Sequence, residues 1–174
     1  MKTIAIYCGS KMPENKIYID ETIKLIKYLV KNNYKIVYGG ANVGLMGIVA
    51  DEALSLGGHV IGVMPNNLIK NEIAHRNLSE LHLVNTMHER KAMMANLADV
   101  FIALPGGYRT LDEIFEVVTW NQIGIHNKPC IIYNIDSYYD NLKAFIQQAS
   151  DDMFLNPNLL HFISDIEALK NLSI

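Results

Sequence analysis

The segment LPGGYRTLDEIFE, residues 104–116, gathers residue types that can bind and act on a charged ligand. Gly106 and Gly107 close an apolar run and let the backbone turn sharply against a ligand. The helix that follows begins with unpaired amides and a partial positive charge, which suits a phosphate. Thr110 and Glu113 also have the spacing of a capping box. In that arrangement the threonine oxygen accepts from the amide at 113, and the glutamate bonds back. Asp112, Glu113 and Glu116 suit the positive end of a helix as well. Beside a phosphate the same carboxylates would repel it, unless they touch another part of the ligand such as a ribose. Glu113, Glu116 and Trp120 share one helix face. Cap and cradle both stand on the local sequence.

A second charged group sits in MHERKAMMANLA, residues 87–98, where Met87, Arg90 and Met94 share one helix face. An arginine on a partly buried stripe needs a partner. That partner is either a local acid, or an anion or Glu113 at the sheet edge. Lys91, one position round, is expected to face solvent, and His88 reads as a surface histidine. The other histidines show no metal-ligand spacing.

Two further loops carry small residues, CGS at 8–10 and YGGANVGLMG at 38–47, with Gly39, Gly40, Gly44 and Gly47 in the second. The second loop lacks the Gly-Lys-Ser/Thr of a Walker loop and departs from G-x-G-x-x-G. A mononucleotide or sugar phosphate therefore fits better than a dinucleotide or magnesium-bound triphosphate.

Apolar runs alternate with amphipathic stretches from end to end, and this alternation must position these residues. TIAIYCGS, YKIVYGG, HVIGVMP, LHLVN, DVFIALPGG and KPCIIYN read as strands, and HFI near the end as a short one. Between them run helices, the first with Ile19, Ile23, Ile26 and Val30 at helical spacing. The helix after the second glycine loop is GLMGIVADEALSLGG, closed by Gly57 and Gly58, that after PGG starts at Thr110, and SYYDNLKAFIQQAS is another. Residues 66–76 read as a loop with some helix. Such alternation predicts an α/β fold: a single-domain, Rossmann-like, doubly wound parallel sheet over residues 1–174, with helices on both faces. Ligands in such sheets bind beyond the carboxyl ends of the strands, where the three glycine loops fall.

The chain has 174 residues, 50% of them hydrophobic, and a formal net charge of -3. That balance offers no electrostatic attraction for nucleic acid or an anionic membrane. The first residues lack the apolar core of a signal peptide, and no apolar run reaches the ~20 residues that span a bilayer. A cytoplasmic protein is expected, with Cys8 and Cys130 as reduced, buried thiols.

MHERKAMM and PGGYRTLDE together resemble the LONELY GUY family of cytokinin riboside 5′-monophosphate phosphoribohydrolases, whose hallmarks are P-G-G-x-G-T-x-x-E and an M-H-x-R-K helix. The likeness extends over YGGANVGLMG, GVMP and FEVVTWNQIGIHNKP. Many members carry an older lysine decarboxylase label, yet no motif here looks like a pyridoxal phosphate lysine site. The resemblance implies hydrolysis of the N-glycosidic bond of adenine-type nucleoside 5′-monophosphates, without metal or cofactor, by a homodimer. It implies Arg90 and Glu113 as catalytic residues. It implies substrate binding by Gly39, Gly40, Gly44, Met87, Lys91, Gly106, Gly107, Thr110 and Glu116. Arg109 stands where the family has a glycine. If that position needs a positive φ or lies against the phosphate, arginine costs roughly 1 kcal/mol or more, or blocks the site. Alternatively Arg109 points away or adds a charge-assisted contact to the phosphate. The rival function is a nucleotide or cofactor carrier on the same fold.

Overall fold

The structure, a computed structural model, describes residues 1–68, 74–172 and 174. The loop expected over 66–76 falls partly outside these residues. The strands are β1 (Thr3–Tyr7), β2 (Lys35–Tyr38), β3 (Val60–Pro65), β4 (Glu80–Val84), β5 (Val100–Ala103), β6 (Cys130–Tyr133) and β7 (His161–Ile163). The helices are α1 (Lys16–Lys31), α2 (Gly44–Ser55), α3 (Met87–Leu97), α4 (Tyr108–Gln122), α5 (Asp140–Asp151) and α6 (Ile166–Asn171).

The strands form one parallel sheet in the order β4-β3-β2-β1-β5-β6-β7. This is the expected doubly wound architecture. Strands buried on both faces read as continuous apolar runs, and β1 shows how two layers share one strand. Its Ile4 and Ile6 face a core with Leu25, Ile26 and Leu29 of α1, Val49 of α2 and Leu169 of α6. Its Ala5 and Tyr7 face the opposite core, with Met94 of α3 and Ile114 and Val117 of α4. The buried stripe of α1 centres on Thr22, Leu25, Ile26 and Leu29. It shares Ile26 with the expected Ile19, Ile23, Ile26 and Val30 line, and is rotated from the other three, which are half-buried.

The chain winds outward in opposite directions from β1 and β5, which are neighbours. Their carboxyl ends therefore diverge into loops that leave a crevice between them. The expected helix over SYYDNLKAFIQQAS begins later, at Asp140. Before it lies a 3₁₀ turn, Ile135–Ser137, in which Asp136 and Ser137 take left-handed φ values of 50° and 60°.

Candidate active site

A cavity of about 540 Å³ opens at the β1–β5 switch point. Residues 8–13 after β1 and 105–110 after β5 form its walls, and Arg90 and Glu113 lie in it. Tyr18 and Tyr138 supply aromatic surface. Among the described residues its charged side chains are Lys11, Arg90 and Arg109 against the carboxylate of Glu113. Three cations with one acid leave an excess of positive charge where a ligand would sit.

The end of α4 forms one wall. Its N-cap is Gly107, which makes no side-chain cap bond, and no acid occupies the first turn. The ladder begins with the Leu111 amide donating to the Gly107 carbonyl at 3.1 Å. The amides of Tyr108, Arg109 and Thr110 thus precede the helical ladder, and the positive end of the helix dipole lies with them. This corrects the capping-box expectation. Because α4 starts two residues before Thr110, that threonine lies inside the helix, buried beside Gly106. The reciprocal arrangement instead occurs at α3. Thr86 Oγ1 accepts from the Glu89 amide at 3.1 Å, and Glu89 Oε2 accepts from the Asn85 amide at 2.8 Å.

Freed from capping, Glu113 meets Arg90. Arg90 Nη1 donates to Glu113 Oε1 at 2.7 Å, with both side chains 6% exposed. Arg90 Nε donates to the Val63 carbonyl at 3.0 Å. The guanidinium lies over Gly39, where a Cβ would collide with Nη2. Of the open alternatives for Arg90, the structure therefore selects Glu113. Burial raises the Glu113 carboxyl above the ordinary carboxylate value, and the Arg90 charge and hydrogen bond oppose the rise. Cys8 lines the cavity, but burial and the Glu113 charge push its thiol pKa up, so it stays neutral and poorly nucleophilic.

Arg109 is the second residue of α4, exposed and on the cavity wall. It does not have a positive φ. The backbone penalty considered for a non-glycine residue here therefore does not arise. Its charge reaches Glu113, whose pKa it lowers. Gly106 and Gly107 differ in purpose. A Cβ at Gly106 would strike Thr110 and come within 3.0 Å of the Gly9 nitrogen, whereas one at Gly107 would meet nothing within 4 Å. Gly106 is needed for packing, and Gly107 leaves room.

Other residues named from the sequence do not border the cavity. Gly40 has φ 82°, and its carbonyl accepts from the His75 amide at 3.0 Å. Gly44 (φ 55°) lets the backbone of Ser10 and Lys11 approach, since a Cβ would come within 2.5–2.7 Å of it. Their loop thus buttresses the 8–13 wall. Met87 is half-buried on α3. Lys91, expected at the surface, is 11% exposed and bridges α3 to α4 through Asp112 (3.0 Å) and Glu116 (3.1 Å). Sequence reasoning missed Lys11, Tyr18 and Tyr138. The CGS loop was the available signal for Lys11, while the tyrosines gave none.

Fold and site define a Rossmann-like α/β protein with an anion-attracting crevice around a buried Arg–Glu pair. The family model described as "Possible lysine decarboxylase" matches residues 46–173. A probable cytokinin riboside 5′-monophosphate phosphoribohydrolase of Oryza sativa subsp. japonica is 46% identical over 162 residues, covering 93% of this chain and 66% of its own. A cytokinin riboside 5′-monophosphate phosphoribohydrolase of Arabidopsis thaliana is 43% identical over 171 residues, covering 98% and 80%. The chain belongs to the family these proteins represent. It spans just under two thirds of the rice relative's length. Among solved structures, the molybdenum cofactor binding protein of Rippkaea orientalis superposes with a TM-score of 0.72 at 20% identity, covering 99% of this chain and 98% of that one. The molybdenum cofactor carrier protein of Chlamydomonas reinhardtii gives 0.73 at 18% identity, covering 99% and 97%. At such identities the likeness shows the fold.

Proposed function

We propose that the protein is an enzyme that hydrolyses the N-glycosidic bond of purine nucleoside 5′-monophosphates, AMP-like or cytokinin, releasing free base and ribose 5-phosphate. The observation that carries this reading is the buried Arg90–Glu113 pair beside the uncapped, acid-free start of α4. The 5′-phosphate lies at the amides of 108–110, with Arg109 and Lys11 adding charge, and the ribose falls over Glu113. Scission of C1′–N leaves positive charge on the ribose, which the Glu113 carboxylate stabilises, by analogy with glycoside chemistry. The bonding pair leaves with the base, which takes up a proton. Water adds to C1′, and Glu113 receives its proton. Arg90 holds the carboxylate in place. Holding the nucleotide by its phosphate end supplies orientation, which can exceed any single chemical term.

A homodimer acting in the cytoplasm completes the proposal, and light scattering tests the oligomer. For the activity, purified protein is incubated with AMP and other monophosphates, and free base is measured by chromatography. Release that disappears in Glu113→Ala supports the proposal. No release above that control with any purine or pyrimidine monophosphate refutes it.

A further inference from the structure

The turn that presents the α4 amides has every carbonyl engaged. The Leu104 carbonyl accepts from the Tyr139 hydroxyl at 2.9 Å, and the Gly106 carbonyl from the Tyr138 hydroxyl at 2.8 Å. Between them, the Pro105 carbonyl accepts from the Gly9 amide at 3.1 Å. The Gly107 carbonyl starts the α4 ladder. A peptide unit whose carbonyl is fixed has its neighbouring amide direction fixed too, because the unit is planar. This holds for the amides of Gly106, Gly107 and Tyr108, whereas Pro105 has no N–H and the bond to the Leu104 carbonyl anchors the start of the turn. Two of these four bonds come from consecutive tyrosines on the β6–α5 loop, an element remote in sequence from the turn.

That loop is itself held in an uncommon shape. Asp136 and Ser137, just before the tyrosines, both have left-handed φ. Non-glycine residues adopt this only when surroundings over-determine it. Here Asn15 Nδ2 donates to Asp136 Oδ2 at 3.3 Å, and Asn134 Oδ1 accepts from the Tyr139 amide at 2.6 Å. Asn15 is also the N-cap of α1, at the end of the loop whose residues 8–13 form the opposite cavity wall. The Tyr138 ring stands edge-on to Tyr18 at 5.7 Å and to Tyr139 at 4.7 Å. Three loops from three strand ends are thereby tied together around the turn.

We propose that Tyr138 and Tyr139 are positioning residues for the phosphate end of the cavity, the Tyr138 hydroxyl fixing the Gly106–Gly107 peptide and the Tyr139 hydroxyl anchoring the start of the turn at the Leu104 carbonyl, so that the amides of 107–110 converge on a phosphoryl group. The inference rests on the hydrolase reading for its ligand. Only ligands carrying a phosphoryl group feel the clamp. Tyr138→Phe and Tyr139→Phe keep the rings and remove only the hydroxyls.

The test measures binding of ribose 5-phosphate and of adenosine by calorimetry, and KM and kcat with AMP, in the wild type and both variants. Losing one positioning bond weakens ribose 5-phosphate binding about fivefold to tenfold. KM for AMP rises in parallel, kcat stays within about twofold, and adenosine binding is unchanged. Ribose 5-phosphate bound with wild-type affinity by Tyr138→Phe overturns the clamp and leaves the hydrolase reading intact. Equal weakening of adenosine also overturns it, since general loosening of the cavity would then be the cause. A wild type that neither binds ribose 5-phosphate nor releases base refutes the hydrolase reading instead. Amide shifts in the wild type give a check free of folding defects. Titration with ribose 5-phosphate perturbs residues 107–110 most, and a pattern centred elsewhere overturns the proposal.

Discussion

Arg90 Nη1 and Glu113 Oε1 stand 2.7 Å apart and join α3 to α4 beneath the crevice, each side chain 6% exposed. Burying both charges is costly, and their attraction offsets that cost only while both are present. Glu113→Ala therefore strands a buried guanidinium. It lowers stability by about 3–5 kcal/mol and removes turnover by roughly a hundredfold or more. Replacing both, as Arg90→Met with Glu113→Leu, restores much of the stability and none of the activity. Urea denaturation beside the base-release assay separates the two effects. Recovery of activity in the double variant would refute the catalytic roles.

The pH profile follows from the same pair. Burial raises the Glu113 pKa, so its acid limb in kcat/KM lies above the ordinary carboxylate value of about 4.3. Arg90 opposes the rise, and Arg90→Met moves the limb higher still in any residual activity. A carboxyl held more tightly protonated in the folded state contributes stability below its unfolded pKa, and loses it as pH rises through the folded pKa. Glu113→Gln removes that fall between the two values. A limb at or below about 4.3 would contradict the burial argument.

The fold was legible because β1, β5 and β6 are buried on both faces and read as unbroken apolar runs. The candidate pair was legible because Arg90 falls between Met87 and Met94, a place where a charge needs a partner. The start of α4 was misread for a physical reason. Thr-x-x-Glu describes a cap only if the threonine is the residue immediately preceding the helix, and Gly107 takes that place three residues earlier. Gly44 was ambiguous because close approach by a ligand and by the 8–13 loop demand the same missing Cβ, and Gly39 because the Arg90 guanidinium demands it too. Tyr138 and Tyr139 were invisible, since their partners lie more than 30 positions away.

Arg109 sits on a helical backbone at the cavity wall, so its replacement tests charge without relieving strain. Arg109→Ala raises KM for a nucleoside monophosphate about twofold to fivefold, the range for an exposed ion pair. It also lessens the salt dependence of kcat/KM. The acid limb moves upward, because the Arg109 charge lowers the Glu113 pKa. Titrating activity against sodium chloride in both proteins checks this. A lower KM in the variant would show that Arg109 obstructs the ligand.

Gly39 and Gly107 separate packing from ligand access. A Cβ at Gly39 would collide with the Arg90 guanidinium and approach Met46 Sδ to 3.0 Å. Gly39→Ala therefore displaces Arg90 from Glu113, lowering stability by about 1–3 kcal/mol and suppressing kcat. At Gly107 the backbone has φ −103° and a Cβ meets nothing within 4 Å. Gly107→Ala should fold with stability within about 0.5 kcal/mol of the wild type. Its methyl group enters the space beside the α4 amides, so KM for the phosphorylated substrate rises while adenosine binding holds. Thermal unfolding and steady-state kinetics on the two variants give the comparison. Unchanged KM in Gly107→Ala would place the phosphate away from the start of α4.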